Sequence, residues 1–434
     1  MGVTGTTTYN GNISVANSGG ASGISFNNNA SASSTLAATK AISIGAGGFS
    51  SGTLNIPRFT QLGSAPTTLN LTGSSTALRV GPLTTFGGNT DLRSAQLFLD
   101  GVDVGGTAYL EKTDAGNNNG LGNNNFSGAT TIVNNGTGQL RTNGNNTFNG
   151  ATTITNNGTA DILLELASGS TYNGDVTFTN TNSSYVRVAY QGATSFNGNI
   201  TVNSTAGVGV YFSEIAAGSS TLAATKTISV GVSGFSSGLL SLPRFTQVGT
   251  TPQALALTGN STLLVGPASA FDGNVNFSSP RVYLNGCTYG GTVTIEKNGG
   301  GDDASAGGNI FTGLTTITNS GSGYLLLGSG NSDQFLSATT FNNTGSYRIY
   351  FAHNHGGQTT TFASDVTLNS NKTGGSDPWS FLVGEGTNIG LSIGGILTIN
   401  CAGAIQSNNR FLNGVGSTGA FGATAINLTN THAS

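Results

Sequence analysis

Two short clusters hold the ionisable side chains with the best spacing for catalysis. One is Glu111-Lys112 with Asp114; the other is Glu296-Lys297 with Asp302-Asp303. An acid and an amine on one face could remove and return a proton on a polysaccharide. Neighbours on a strand point to opposite sides, so Glu111 and Lys112 cannot both face one site if they lie on a strand. Both clusters therefore read as solvated edges or turns. His353-Asn-His355 puts two imidazoles at a spacing compatible with a metal, but two ligands do not close a site, and no acid or cysteine lies near before Asp365. The pair reads as an exposed polar tip. Cys287 and Cys401 form no Cys-x-x-Cys pattern and read as two unpaired, core-filling thiols. Patterns for a phosphate-binding loop, a nucleophile elbow or a zinc-binding His-Glu-x-x-His are absent. These residues indicate no cofactor, no metal and no enzyme.

The elements that would carry such groups come from an unusual composition. Of 434 residues 69 are Gly, only 7% are charged, and the net charge is -3. A 36% hydrophobic fraction with 22 Phe and 11 Tyr argues against a disordered polymer, which combines low hydrophobicity with high net charge. Fourteen scattered Lys and Arg cannot displace counterions from nucleic acid. No apolar run is long enough for a membrane span, and no secretory leader is visible.

Self-similarity runs at two scales. The short repeat begins with an aromatic: Phe126-Ser-Gly-Ala-Thr-Thr-Ile132, Phe148-Asn-Gly-Ala-Thr-Thr-Ile154, Tyr172-Asn-Gly-Asp-Val-Thr-Phe178 and Phe196-Asn-Gly-Asn-Ile-Thr-Val202, at steps of 22, 24 and 24 residues. Later copies start at Phe271, Phe311, Phe335 and Phe362. Asn134-Asn-Gly136 and Asn156-Asn-Gly158 read as turns whose residues tolerate positive φ. Phe148 to Ile154 reads as a strand in which Phe148, Gly150, Thr152 and Ile154 share one face. A second strand follows, with Ile162, Leu164 and Leu166 alternating, then Val186, Val188 and Tyr190 in the next copy. The long repeat carries Ser33-Ser-Thr-Leu-Ala-Ala-Thr-Lys40 to Ser219–Lys226, and Pro57-Arg-Phe-Thr-Gln61 to Pro243–Gln247, each 186 residues on. It divides the chain into blocks 1–190 and 191–376, with 377–434 starting a more divergent block.

A unit of this size cannot bury a core alone but can do so stacked on copies of itself. The expected fold is all-β, a right-handed parallel β-helix of about 22–25 residues per rung and about 19 rungs. The inward columns should be Phe126, Ile132, Phe148, Ile154, Tyr172, Phe178, Phe196, Val202, Phe271, Phe311 and Phe335, with the turn asparagines stacked into amide ladders. If these face inward, Thr153, Thr155, Thr177, Thr179, Thr316 and Thr318 face outward as a flat threonine array. Such an array suits ice, glycan contact or lateral packing; Thr is also common on any exposed strand face. It should break at Thr201-Val-Asn203 and in the Phe271 rung. Both chain ends read as cut through a repeat.

The Phe-Asn-Gly-x-(Thr/Ile)-Thr-(Ile/Val) rungs, Asn-Asn-Gly turns and long duplicated blocks resemble giant repetitive surface adhesins and filaments of gliding or filamentous Bacteroidota, and are similar to the passenger stalks of autotransporter adhesins. The resemblance implies an exported protein, often through type IX secretion, on the cell surface or outside the cell. It implies a structural and adhesive role in a fibre, with self-assembly and a glycan or cell-surface target. The alternatives are a carbohydrate-active β-helix enzyme and an ice- or glycan-binding solenoid.

Overall fold

The computed structural model describes residues 4–430 except 21, 119, 373–376, 403–407, 412–416 and 422–425. The chain divides into two compact units, Met1–Thr221 and Leu222–Ser434. Among the described residues there is no helix.

The first unit is a parallel β-helix with three strands per rung, called here sheets A, B and C. One rung runs through Thr147–Phe148 in sheet A, Thr152–Asn156 in sheet B and Ile162–Leu163 in sheet C, and the next begins at Thr171–Tyr172. Each strand pairs in parallel with the same strand of the next rung: Thr152 opposite Val176, Ile154 opposite Phe178, Phe148 opposite Tyr172. The segment from Phe148 to Ile154 is thus two strands, not one. Asn149-Gly150-Ala151 forms a corner between them, so Phe148 and Ile154 face the core from different sheets.

Stacking brings like onto like. The rings of Phe126, Phe148, Tyr172 and Phe196 lie 5.2, 4.8 and 5.2 Å apart and within 10° of parallel. Ile132, Ile154, Phe178 and Val202 form the matching column of sheet B. All eight side chains are buried. Each fully buried large apolar side chain contributes about 1.5–3 kcal/mol, and ring pairs add about 0.5–1.5 kcal/mol.

Three kinds of corner join the sheets. After sheet B, the last residue of the strand closes the turn. Asn134 donates its Nδ2 to the Gly138 carbonyl at 3.3 Å and accepts the Gly136 N–H at 3.2 Å. Neither Gly136 nor Gly158 has positive φ. Glycine is required there by the rung beneath, since a Cβ on Gly158 would stand 2.1 Å from the Gly136 carbonyl oxygen. The corner after sheet A repeats this logic: a Cβ on Gly174 would meet Gly150 at 2.4 Å. Outside it runs an amide ladder, Asn197 to Asn173 at 2.9 Å, Asn173 to Asn149 at 2.8 Å and Asn149 to Asn125 at 3.0 Å. In the rungs from Ile162 to Phe212 the corner after sheet C uses left-handed residues that are not glycine: Glu165 at φ 62°, Ala189 at 52° and Ser213 at 49°. These bends end the inward alternation at Leu164 and Val188, so Leu166 and Tyr190 do not continue it.

The second unit has the same three-sheet construction. Its aromatic column is Phe271, Tyr289, Phe311, Phe335 and Phe362, with successive rings 6.1, 5.0, 4.6 and 4.5 Å apart. The long repeat persists in detail: Ile42–Phe49 and Ile228–Phe235 are both eight-residue strands with the same alternation of burial. Rungs advance by 22 or 24 residues from Ala108 to Ile200 and again from Val293 to Thr339, but the advance falls to 18 where Arg93 meets Glu111 and rises to 31 where Asn369 meets Asn400.

Candidate functional site

Sheet B presents an outward grid because its strands keep five-residue registers through successive rungs. In the first unit Thr131, Thr153, Thr177 and Thr201 form one column, and Val133, Thr155, Thr179 and Asn203 the next. In the second unit Thr294, Thr316, Thr340, Thr367 and Thr398 stand in one column of five. Beside them Glu296, Thr318, Asn342, Asn369 and Asn400 form another. Its side chains are tied together: Asn400 donates to Asn369 and Asn369 to Asn342, both at 2.9 Å, and Asn342 donates to Thr318 at 3.4 Å. Rungs lie about 4.8 Å apart and alternate residues about 6.6 Å apart, so the hydroxyls form a nearly rectangular lattice.

All six threonines expected outside are outside. The array does not break at Thr201, which extends the Thr177 column; only the neighbouring column changes, to Asn203, whose amide bonds Thr179 at 3.3 Å. Thr340, Thr367 and Thr398 were not among the expected residues. Their signal was present in the pattern Thr-x-Asn that each shares with its neighbours, around Phe341, Leu368 and Ile399.

The acidic clusters are solvated turns only in part: Asp302 is exposed and Asp114 half-buried between strands, but the remaining members are held otherwise. Glu111 lies on the outer face of sheet B, held by Arg93 at 3.3 Å, by the Tyr109 hydroxyl at 3.1 Å and by Asn135 at 2.5 Å. Lys112 points the other way and is fully buried, its ammonium bonded to the Asp114 carbonyl, and burial pulls its pKa down to about 8. Lys297 repeats this, buried and donating to the Gly299 carbonyl at 2.6 Å. Both lysines occupy the position that Asn134 and Asn319 hold in the following rungs, closing a corner from inside. Asp302 accepts the Tyr324 N–H at 3.0 Å. Asp303 is buried against Arg281 at 3.2 Å, and desolvation pushes its pKa up to about 6. Glu111 and Lys112 are not brought onto one face, while Lys297 and Asp303 both turn inward, away from any solvent-facing site.

The two histidines are not an exposed tip. His355 is buried with its Nε2 3.1 Å from the Thr360 hydroxyl, and His353 packs 5.2 Å from the Tyr350 ring and 3.9 Å from Glu385. Among the described residues, no three His, Cys, Asp or Glu side chains converge as a metal site would require. Neither cysteine forms a disulfide; Cys287 is buried, which pushes its pKa up, and Cys401 is half-buried. No helix among the described residues is long and apolar enough to cross a membrane.

Stacked parallel rungs, in-register columns and ladder-tied corners define a parallel β-helix repeat protein. No family model, curated protein or solved structure matches the chain.

Proposed function

We propose that this chain is a structural and adhesive module of an extracellular surface fibre. The observation that carries the reading is the outward column of threonines from Thr294 to Thr398 on sheet B, flanked by the uncharged hydroxyls and amides from Thr318 to Asn400. A surface with so little charge puts up little repulsion against another copy of itself. Inside, backbone ladders and apolar columns repeat with every rung, so strain on one rung is shared with its neighbours. The extracellular setting comes with the likeness of the Phe-Asn-Gly rungs to exported adhesins. Negative-stain microscopy of the purified chain tests the reading: fibres or lateral bundles are expected, and Thr153→Lys with Thr177→Lys should disperse them. Single short rods at every concentration would overturn it.

The column from Thr294 to Thr398 favours a second reading, in which the lattice orders water or sugar hydroxyls. Thermal hysteresis that disappears in Thr316→Tyr would support ice binding.

A further inference from the structure

Residues that this chain uses sparingly gather on the outer face of sheet C in the second unit. Arg348 and Tyr350 alternate with the buried Ile349 and Phe351, so both point outward. In register, Tyr350 stands opposite Leu382, and Leu382 opposite Arg410. Leu382 also faces outward yet is only 1% exposed, so the side chains around it form a closed layer. That layer is continuous. Tyr324 meets Tyr350 edge-on at 5.4 Å and Tyr347 at 6.2 Å. Arg348 lies over the Tyr347 and Tyr350 rings at 5.0 and 5.5 Å. Arg410 lies 5.6 Å over Trp379, the one tryptophan in the chain.

The charges in this layer cancel in pairs. Arg348 bonds Asp377 at 2.6 Å, and Arg410 meets Glu385 at 3.5 Å. Burial lowers the pKa of His353, so its ring is neutral at pH 7. A surface balanced in this way has no counterions to release to nucleic acid and no net field for an acidic polymer. It does offer guanidinium donors next to carboxylate acceptors, the pattern that adjacent hydroxyls on a sugar ring satisfy, between aromatic rings that a sugar's C–H face can cover. Half-buried Tyr, Trp and Arg held by packing lose little freedom on binding.

We propose that this face of sheet C binds a neutral polysaccharide, lying across the rungs. The proposal deepens the adhesive reading, on which it rests, by naming the chemical class of its target and a site apart from the threonine lattice.

Trp379 reports on the site directly. The purified chain would be titrated with a neutral β-glucan such as laminarin, with dextran and a neutral mannan, and with alginate as the acidic counterpart. The same polysaccharides would be cast into native gels. The expected result is a shift in Trp379 emission and retardation by at least one neutral polysaccharide, little changed by added salt. Tyr350→Ala should weaken binding about tenfold or more. Tyr350→Phe, which keeps the ring, and Asn173→Ala, in the outer amide ladder of the first unit, should bind as the parent does. Silent emission and no retardation with all three neutral polymers would overturn the proposal, as would salt-sensitive binding of alginate alone or full binding by Tyr350→Ala. Fibres that form and attach while Trp379 stays silent would remove the glycan site and leave the adhesive reading standing. A responsive Trp379 in a chain that forms no fibres would do the reverse.

Discussion

The rungs from Phe126 to Ser204 in the first unit and those from Thr339 to Cys401 in the second obey the same ladder with different amounts of chain. The first set advances by 22 or 24 residues, the second by 27 and then 31. Sheet B does not register the difference, since Thr339–Asn343, Val366–Ser370 and Leu397–Cys401 still pair residue for residue. The added residues go into corners. In the regular set a corner is closed by one asparagine. In the expanded set it holds Lys372, buried and donating to the Asp377 and Trp379 carbonyls at 2.6 and 2.9 Å, beside the Asp377–Arg348 pair. A solenoid thus separates two tasks. The strands carry stability through repetition, and the corners accept residues that occur once.

The contrast can be broken most forcefully at glycine. Gly158→Ala in the regular set would drive a Cβ to 2.1 Å from a backbone oxygen that cannot move without shifting its rung. A loss of about 3 kcal/mol is expected. At Gly356, in the expanded set, nothing lies within 4 Å of the added Cβ, and Gly356→Ala should change stability by less than about 0.5 kcal/mol. Denaturation midpoints of the two variants check this, and equal losses would mean that the corners do not differ in tightness.

Buried charge gives a second, smaller test. Glu165 is fully buried, accepting the Tyr172 hydroxyl at 3.0 Å and the Ala189 N–H at 2.8 Å, and desolvation pushes its pKa up to about 7. A carboxyl whose folded pKa lies above its unfolded value near 4 binds more protons folded than unfolded in between. Stability should therefore fall as pH rises from about 4 to about 7, by on the order of 2–3 kcal/mol, and level off above. Glu165→Gln should flatten that part of the profile in thermal melts. Asp333 offers a parallel in the second unit. It takes the N–H and side-chain amide of Asn309 at 2.9 Å each, where the neutral Asn146 serves Asn124 in the first unit, and burial pushes it up to about 6.

The smallest effect belongs to the exposed ladder. Asn173→Ala removes two amide hydrogen bonds that water can replace, so a loss of about 1 kcal/mol or less is expected. A larger loss in chemical denaturation would mean that the ladder acts cooperatively along the rungs.

Much of this was legible in the order of residues. Phe126, Phe148, Tyr172 and Phe196 recur at a fixed interval because each must sit above the last, and that same interval places Thr153 over Thr131 and Asn156 over Asn134. Period alone therefore determined the stacking, the buried columns and the threonine lattice. It left open where the chain turns. Whether Asn149-Gly150 continues a strand or makes a corner depends on closing three sheets around one core. So does the reason for glycines such as Gly158 and Gly174, which is the rung beneath them and not their own φ. Lys112, His355 and the Tyr350–Arg410–Trp379 layer were hidden for a related cause. They stand outside the short period, Lys112 returning only as Lys297, so only the folded arrangement decides which side chains meet.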